Sequence, residues 1–271
     1  MRKICKFRIM ATQLEIRRRF GQNFLDREMS GKIADDLPCS PQDEILEIGP
    51  GHGALTEWLL PKCSSLTAVE IDNFCIPKLQ KKFGNVKNFS LVHKNFLQFD
   101  FKAWLNEHPA SWIAGNLPYN MATAIIAHIL PDISKTKGCM FMTQLEVAER
   151  ITADAGSRNY GSFSVFCSCY SKNRIIRRIG PEHFSPKPKV NSATVMLEPF
   201  EEPLCLDGKF FEFVKAAFSQ KRKTLANSLS AGYDKEKAIS ALRALHFSES
   251  TRAEELSLEK LFLFFTTFTE L

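Results

Sequence analysis

Through the first two-thirds of the chain, short apolar runs alternate between two periods, separated by polar and glycine-rich breaks. EILEI (Glu44–Ile48), the turn GPGHG and the stretch ALTEWLL read as a strand, a turn and a helix starting near Ala54. LTAVEID is a second strand, followed by a helical stretch through Phe83. FSLVHKNF and SWIAGN read as two more strands. Residues Met121 to Leu130 read as a helix, GCMFMT as a strand and QLEVAERITA as another helix. Strands alternating with helices predict a parallel sheet covered on both faces. After Ala155 the rhythm changes. GSFSVFCSCYS and SATVMLEP read as strands with no helix between them, which predicts a hairpin-like addition to the sheet. From about Pro203 the pattern is helical, in FFEFVKAAF, KAISALRALHF and SLEKLFLFFTTF, so a domain boundary is expected near residue 200.

Composition narrows the class. A chain of 271 residues can hold one full domain and a smaller one. With 44% hydrophobic and 24% charged residues, wholesale disorder is excluded. No apolar run reaches the roughly 18 to 20 residues that span a bilayer. The basic N-terminus lacks the apolar core of a secretory signal, so a cytoplasmic protein is expected. The eight cysteines are scattered. Cys167 and Cys169, two apart, would share one face of a strand rather than form a metal knuckle, so reduced thiols and no metal site are expected.

Charge adds a partner class. Met1 to Arg19 carry seven Lys or Arg against Glu15 alone, and the remaining residues carry 29 basic and 29 acidic side chains. The net charge of +6 therefore sits in a leader, residues 1–16 and the arginines after it. KNRIIRR with PKPKV (Lys172 to Val190) and SQKRK (Ser219 to Lys223) are two further basic patches. Each alone reads as a solvated surface. Three together point to a polyanion, because Lys and Arg contacts to phosphate dominate nucleic-acid affinity.

The chemistry lies at two turns. Gly49, Gly51 and Gly53 follow a strand and precede a helix, where backbone without Cβ lets a ligand approach. Glu70 ends the second strand, where an acidic residue commonly accepts hydrogen bonds from ribose hydroxyls. Nicotinamide folds use G-x-G-x-x-A, which Ala54 satisfies. EIGPGHG, with Glu47 before the first glycine, more closely resembles the first motif of S-adenosylmethionine-dependent methyltransferases. The second turn is GNLPYN. Turning alone does not require Tyr119, and Asn-Leu-Pro-Tyr after a fourth strand resembles the signature of methyltransferases acting on an exocyclic base nitrogen. The adenine N6 lone pair is delocalised into the ring and is a poor nucleophile. An acceptor pair, the Asn116 side-chain oxygen and the Leu117 carbonyl, would favour a more pyramidal nitrogen. Pro118 stiffens the turn, and Tyr119 offers a face worth about 1–3 kcal/mol for stacking a base. Positioning of this kind can lower a barrier by ~7–11 kcal/mol without an acid–base residue, so no catalytic histidine is expected.

RRRFGQNFLD, EIGPGHGALT, GNLPYN, FSPKPKVNSA and FSQKRKTLANSL occur in order from Arg17 to Leu229. Together they closely resemble the KsgA family of small-subunit rRNA adenine N6,N6-dimethyltransferases. The resemblance implies an α/β, class I (Rossmann-like) S-adenosylmethionine-dependent methyltransferase domain over residues 17–200, with a small C-terminal α-helical domain over 201–271. It implies that Asn23 and Leu25 contact S-adenosylmethionine, that Gly49 and Gly51 line its methionine and ribose side, and that Glu70 holds its ribose hydroxyls. Asn116 would serve both cofactor and target, and Tyr119 and Phe184 would cover the two faces of the adenine. Asn95 stands where the family has an Asp that accepts from the cofactor's adenine amine. Leu145 and Asn191 likewise replace a usual Lys and Asp. The implied substrate is two adjacent adenines in the 3′-terminal hairpin loop of 16S rRNA, each receiving two methyls. An unpaired loop base costs a few kcal/mol less to extrude than a paired one. The implied partners are small-subunit rRNA and the assembling 30S subunit, with the protein a monomer and no membrane. The alternatives are an Erm-type 23S rRNA methyltransferase, a non-catalytic nucleic-acid-binding relative and a nicotinamide oxidoreductase.

Overall fold

The structure, a computed structural model, describes residues 24–204 and 208–271. The expectations for the leader and for Asn23 lie outside these residues. The chain runs through β1 (Phe24–Leu25), α1 (Arg27–Asp36), β2 (Glu44–Ile48), α2 (Thr56–Leu59), β3 (Ser65–Glu70), α3 (Ile76–Phe83), β4 (Phe89–His93) and α4 (Phe101–Glu107). It continues through β5 (Trp112–Asn116), α5 (Ala122–Ile129), β6 (Gly138–Gln144), α6 (Leu145–Ile151), α7 (Ser162–Tyr170), β7 (Ser171–Ile179), β8 (Phe184–Ser185) and β9 (Ser192–Pro199). Helices α8 (Gly208–Ala217), α9 (Leu225–Leu229), α10 (Lys235–Ala244) and α11 (Leu258–Glu270) follow.

Among the described residues the main sheet has seven strands in the order β4-β3-β2-β5-β6-β9-β7. From β4 to β6 each neighbouring pair is parallel, and β9 joins β6 antiparallel. The central strands are nearly continuous apolar runs. Ile45, Leu46, Leu66, Ala68, Ile113, Ala114 and Phe141 have no exposed surface, as burial on both faces of a parallel sheet requires. This is the mostly parallel sheet of a class I methyltransferase fold. Chain order reverses between β2 and β5, and ligands of such sheets bind outside the carboxyl ends of the strands at that reversal. Gly49 follows β2 and Asn116 ends β5. Both candidate turns therefore lie at the reversal.

The described residues through Ala148 form one compact unit with Arg174–Glu198. Glu149–Asn173 and Pro199–Leu271 form a second. The helical unit is thus not confined to the residues after 200. Its extra segment carries a correction, because GSFSVFCSCYS, expected as a strand, is helix α7. Phe166 of α7 packs edge-on against Phe211 of α8, with ring centroids 4.6 Å apart. Tyr170 stacks on the same ring at 5.9 Å, and the Tyr160 hydroxyl donates to the Leu256 carbonyl at 3.1 Å. The first strand of the added pair is instead β7, whose KNRIIRR the charge pattern presented as a patch. Cys167 and Cys169 are buried on this helix, and the six described cysteines are free thiols. No helix among the described residues is long and apolar enough to cross a membrane.

Candidate active site

The glycine turn is shaped by backbone geometry and close packing. Gly51 has φ +59°, a left-handed conformation costly for residues with a Cβ. Its N–H donates to the Glu70 carboxylate at 2.8 Å. Gly53 has φ +77°, and a Cβ there would lie 2.4 Å from the Phe83 ring. α2 begins at Thr56, two residues beyond the expected start.

Glu70 is buried at the end of β3. Besides Gly51, it accepts from the N–H groups of Ile71 at 2.9 Å and Asp72 at 2.8 Å. Burial pushes its carboxyl above the ordinary range, while the three amides pull it down. Glu47 is also buried, and the Thr56 hydroxyl donates to it at 2.6 Å. Burial, helped by the nearby Glu70, raises its pKa to about 7. Asn95 follows β4, and its side-chain oxygen accepts from the Leu97 N–H at 3.1 Å, opening a short 3₁₀ turn.

The NLPY turn is held from both sides. The Leu117 N–H donates to the Met142 carbonyl of β6 at 3.0 Å. The Pro118 carbonyl accepts from Met121 and Ala122, both at 2.9 Å, which starts α5. Proline leaves no N–H of its own to divert this pattern. The Tyr119 hydroxyl lies 2.7 Å from that of Ser192.

These groups meet around one cavity of about 310 Å³, within the range of small-molecule sites. Leu25, Gly49, Gly51, Glu70, Asn95, Asn116, Leu117, Pro118 and Tyr119 line it, all nine of them expected site residues. Phe184 is not among the lining residues. It is 4% exposed, pairs with Leu25 through β1 and β8, and packs in the main core with Met29 and Ile179. Sequence reasoning passed over Glu47 as a lining group, although it named the residue in the glycine motif. It also missed the apolar walls of Ile71, Phe96, Leu97 and Met142, whose residue types match any core position. Among the described residues, no cluster of His, Cys, Asp and Glu could hold a metal ion.

The basic patches are unequal. Arg177 makes a two-pronged ion pair with Asp36 at 2.7 Å, and Arg174 pairs with Glu198 at 3.0 Å. Lys221, Arg222 and Lys223 are exposed and have no ion pair among the described residues.

Comparison with known proteins agrees with this geometry. The family model described as ribosomal RNA adenine dimethylase matches residues 13–270. A ribosomal RNA small subunit methyltransferase A from Hydrogenovibrio crunogenus is 41% identical over 250 residues, covering 90% of this chain and 92% of its own. One from Clostridium botulinum is 36% identical over 253 residues, with 92% of each chain covered. Among solved structures, a dimethyladenosine transferase from Plasmodium falciparum superposes with TM-score 0.77 at 22% identity, covering 92% of this chain and 98% of its own, and shares the fold. The 23S rRNA methyltransferase ErmE superposes with TM-score 0.68 at 25% identity, covering 91% of this chain and all of its own. With five ordered motifs, the strand reversal and a family match over nearly its whole length, this chain belongs to the ribosomal RNA adenine dimethylase family.

Proposed function

We infer that the protein is an S-adenosylmethionine-dependent 16S rRNA adenine N6,N6-dimethyltransferase. The observation that carries this reading is the juxtaposition, at one cavity, of the Glu70 carboxylate from β3 and the NLPY turn from β5. Three features fit the cofactor. Gly49, at φ +68°, presents backbone without a side chain at the end of β2. The Glu70 carboxylate keeps acceptor capacity beyond its three amide donors, because two carboxylate oxygens offer about four lone-pair sites. Ile71, Phe96 and Leu97 give the cavity an apolar wall suited to a flat base. When bound, S-adenosylmethionine supplies an electrophilic methyl on a cationic sulfur.

The chain's own groups bind and aim. Glu70 holds ribose hydroxyls, Asn95 meets the edge of the cofactor's base, and Leu25, Gly49 and Gly51 enclose the rest. The Asn116 side-chain oxygen and the Leu117 carbonyl accept from the two N–H groups of the target N6 in the first round and from the one N–H left in the second, turning the lone pair toward the methyl. Tyr119 stacks on the target ring. Each transfer forms one N–C bond, breaks one S–C bond and releases one proton from N6. Two rounds on each of two adjacent adenines consume four cofactors.

The substrate is a loop of small-subunit rRNA within the assembling 30S particle, in the cytoplasm, with the protein acting as a monomer. Lys221, Arg222 and Lys223, and the exposed Lys172, Lys187 and Lys189, would grip rRNA phosphates. The test supplies labelled S-adenosylmethionine with small or large subunits that lack adenine dimethylation. Label entering small-subunit RNA is expected. Label confined to large-subunit RNA would replace the substrate, and cofactor binding without transfer to either would contradict the activity.

A further inference from the structure

The Tyr119 hydroxyl and Ser192 Oγ lie 2.7 Å apart, and this bond ties one loop to the first residue after another. Tyr119 is half-buried at the cavity, whereas Ser192 is fully buried as the first residue of β9. The bond reaches across β6, whose Met142 and Gln144 are the register partners of Asn116 and Ser192. One loop is NLPY. The other is FSPKPKVN, which leads into β9. Each loop has its own backbone tie, Leu117 N–H to the Met142 carbonyl at 3.0 Å and Leu145 N–H to the Asn191 carbonyl at 2.9 Å. With both backbones held, the hydroxyl pair acts on the ring itself. A tyrosine side chain turns about two torsions, and holding its far end restrains both.

We propose that Ser192 is a positioning residue for methyl transfer, its hydroxyl holding the Tyr119 ring in the plane on which the target adenine stacks. The assignment rests on the reading of Tyr119 as the stacking face. Ser192 has no exposed surface and does not meet the base, so it acts through the ring. Losing either hydroxyl leaves the ring in place but removes this restraint on its tilt.

The test compares Ser192→Ala, Tyr119→Phe, the double variant and Tyr119→Ala. It reads kcat and KM on undimethylated small subunits, with S-adenosylmethionine affinity measured by calorimetry. Ser192→Ala and Tyr119→Phe are each expected to lower kcat/KM about fivefold, the scale of one neutral hydrogen bond, and to leave cofactor affinity unchanged. The double variant is expected to match either single one, because both cut the same bond. Wild-type turnover in Tyr119→Phe, or losses that multiply in the double variant, would overturn the proposal. Tyr119→Phe keeps the ring and its packing, so it decides the matter even where Ser192→Ala fails to fold. Full activity in Tyr119→Ala would overturn the stacking reading together with the proposal. Severe loss there with unaffected Tyr119→Phe would remove only the role of Ser192.

Discussion

Glu47 shows what a single carboxyl does beneath such a site. Its pKa of about 7, against an ordinary 4.5, means that the folded chain keeps a proton that the unfolded chain has lost over that interval. The unfolded state then binds fewer protons, so stability falls as pH rises from about 4.5 to 7 and stays lower above it. At ~1.4 kcal/mol per pH unit the loss is on the order of 3–4 kcal/mol. Glu47→Gln keeps the shape and an oxygen for Thr56, and it should flatten this decline. Urea unfolding near pH 5 and pH 8 measures it, and equal pH slopes in both proteins would contradict the burial argument. Asn95 makes a second prediction. Its single oxygen already accepts from the Leu97 N–H, so a hydrogen bond from the amino group of an adenine would share that oxygen and lack charge assistance. Asp would cap the turn with one oxygen and accept with the other. Asn95→Asp should tighten S-adenosylmethionine binding by about 1 kcal/mol, roughly fivefold, read by calorimetry. Unchanged or weaker binding would count against that placement. At this scale residue type carries chemistry at Glu70, Asn116 and Tyr119, and the structure brings these three to the lining of one cavity. The sequence was silent where a cavity wall and a core use the same apolar residues, and Phe184, expected at the base, belongs to the main core and does not line the cavity.

At the scale of elements, the strand reversal rests on close backbone approach between β2 and β5. A Cβ on Gly115 would lie 2.5 Å from the Ile48 carbonyl oxygen, so the two strands touch without a side chain between them. Gly115→Ala must push them apart immediately before Gly49. A cost of about 1–3 kcal/mol, as for overpacked cores, should appear in chemical denaturation together with weakened cofactor binding. Wild-type stability would show that the strands separate more easily than this geometry implies. The strands and helices around this junction were legible because each shows its period plainly. α7 was not. SFSVFCSCY is enclosed on most sides, with Ser164, Val165, Cys167, Cys169 and Tyr170 buried, so it displays no polar stripe. Its aromatic and β-branched residues then mimic an alternating strand. β7 failed in the opposite way. It is an edge strand of the sheet, and its exposed Lys172, Arg174 and Arg178 are the charges that discourage edge-to-edge pairing. The same charges concealed its apolar Ile175 and Ile176.

For the whole molecule, the question is how a chain with a net charge of +6 meets RNA. Arg174 and Arg177 already serve Glu198 and Asp36, which leaves less of the KNRIIRR charge for phosphate. Lys221, Arg222 and Lys223 carry no such commitment among the described residues. Replacing all three by Ala should weaken small-subunit binding and reduce the salt slope of log K by about 2 to 3, while cofactor affinity stays unchanged. An unaltered slope would place these side chains away from the RNA. If one cavity, one glutamate and one Asn-Leu-Pro-Tyr turn carry out paired adenine dimethylation, mass-spectrometric mapping of reacted 16S rRNA shows it. Four methyls are expected, two on each of two adjacent adenines of the 3′-terminal hairpin loop, and none with Asn116→Ala. Methyls on any other nucleotide, or an Asn116→Ala enzyme that still delivers all four, would contradict it.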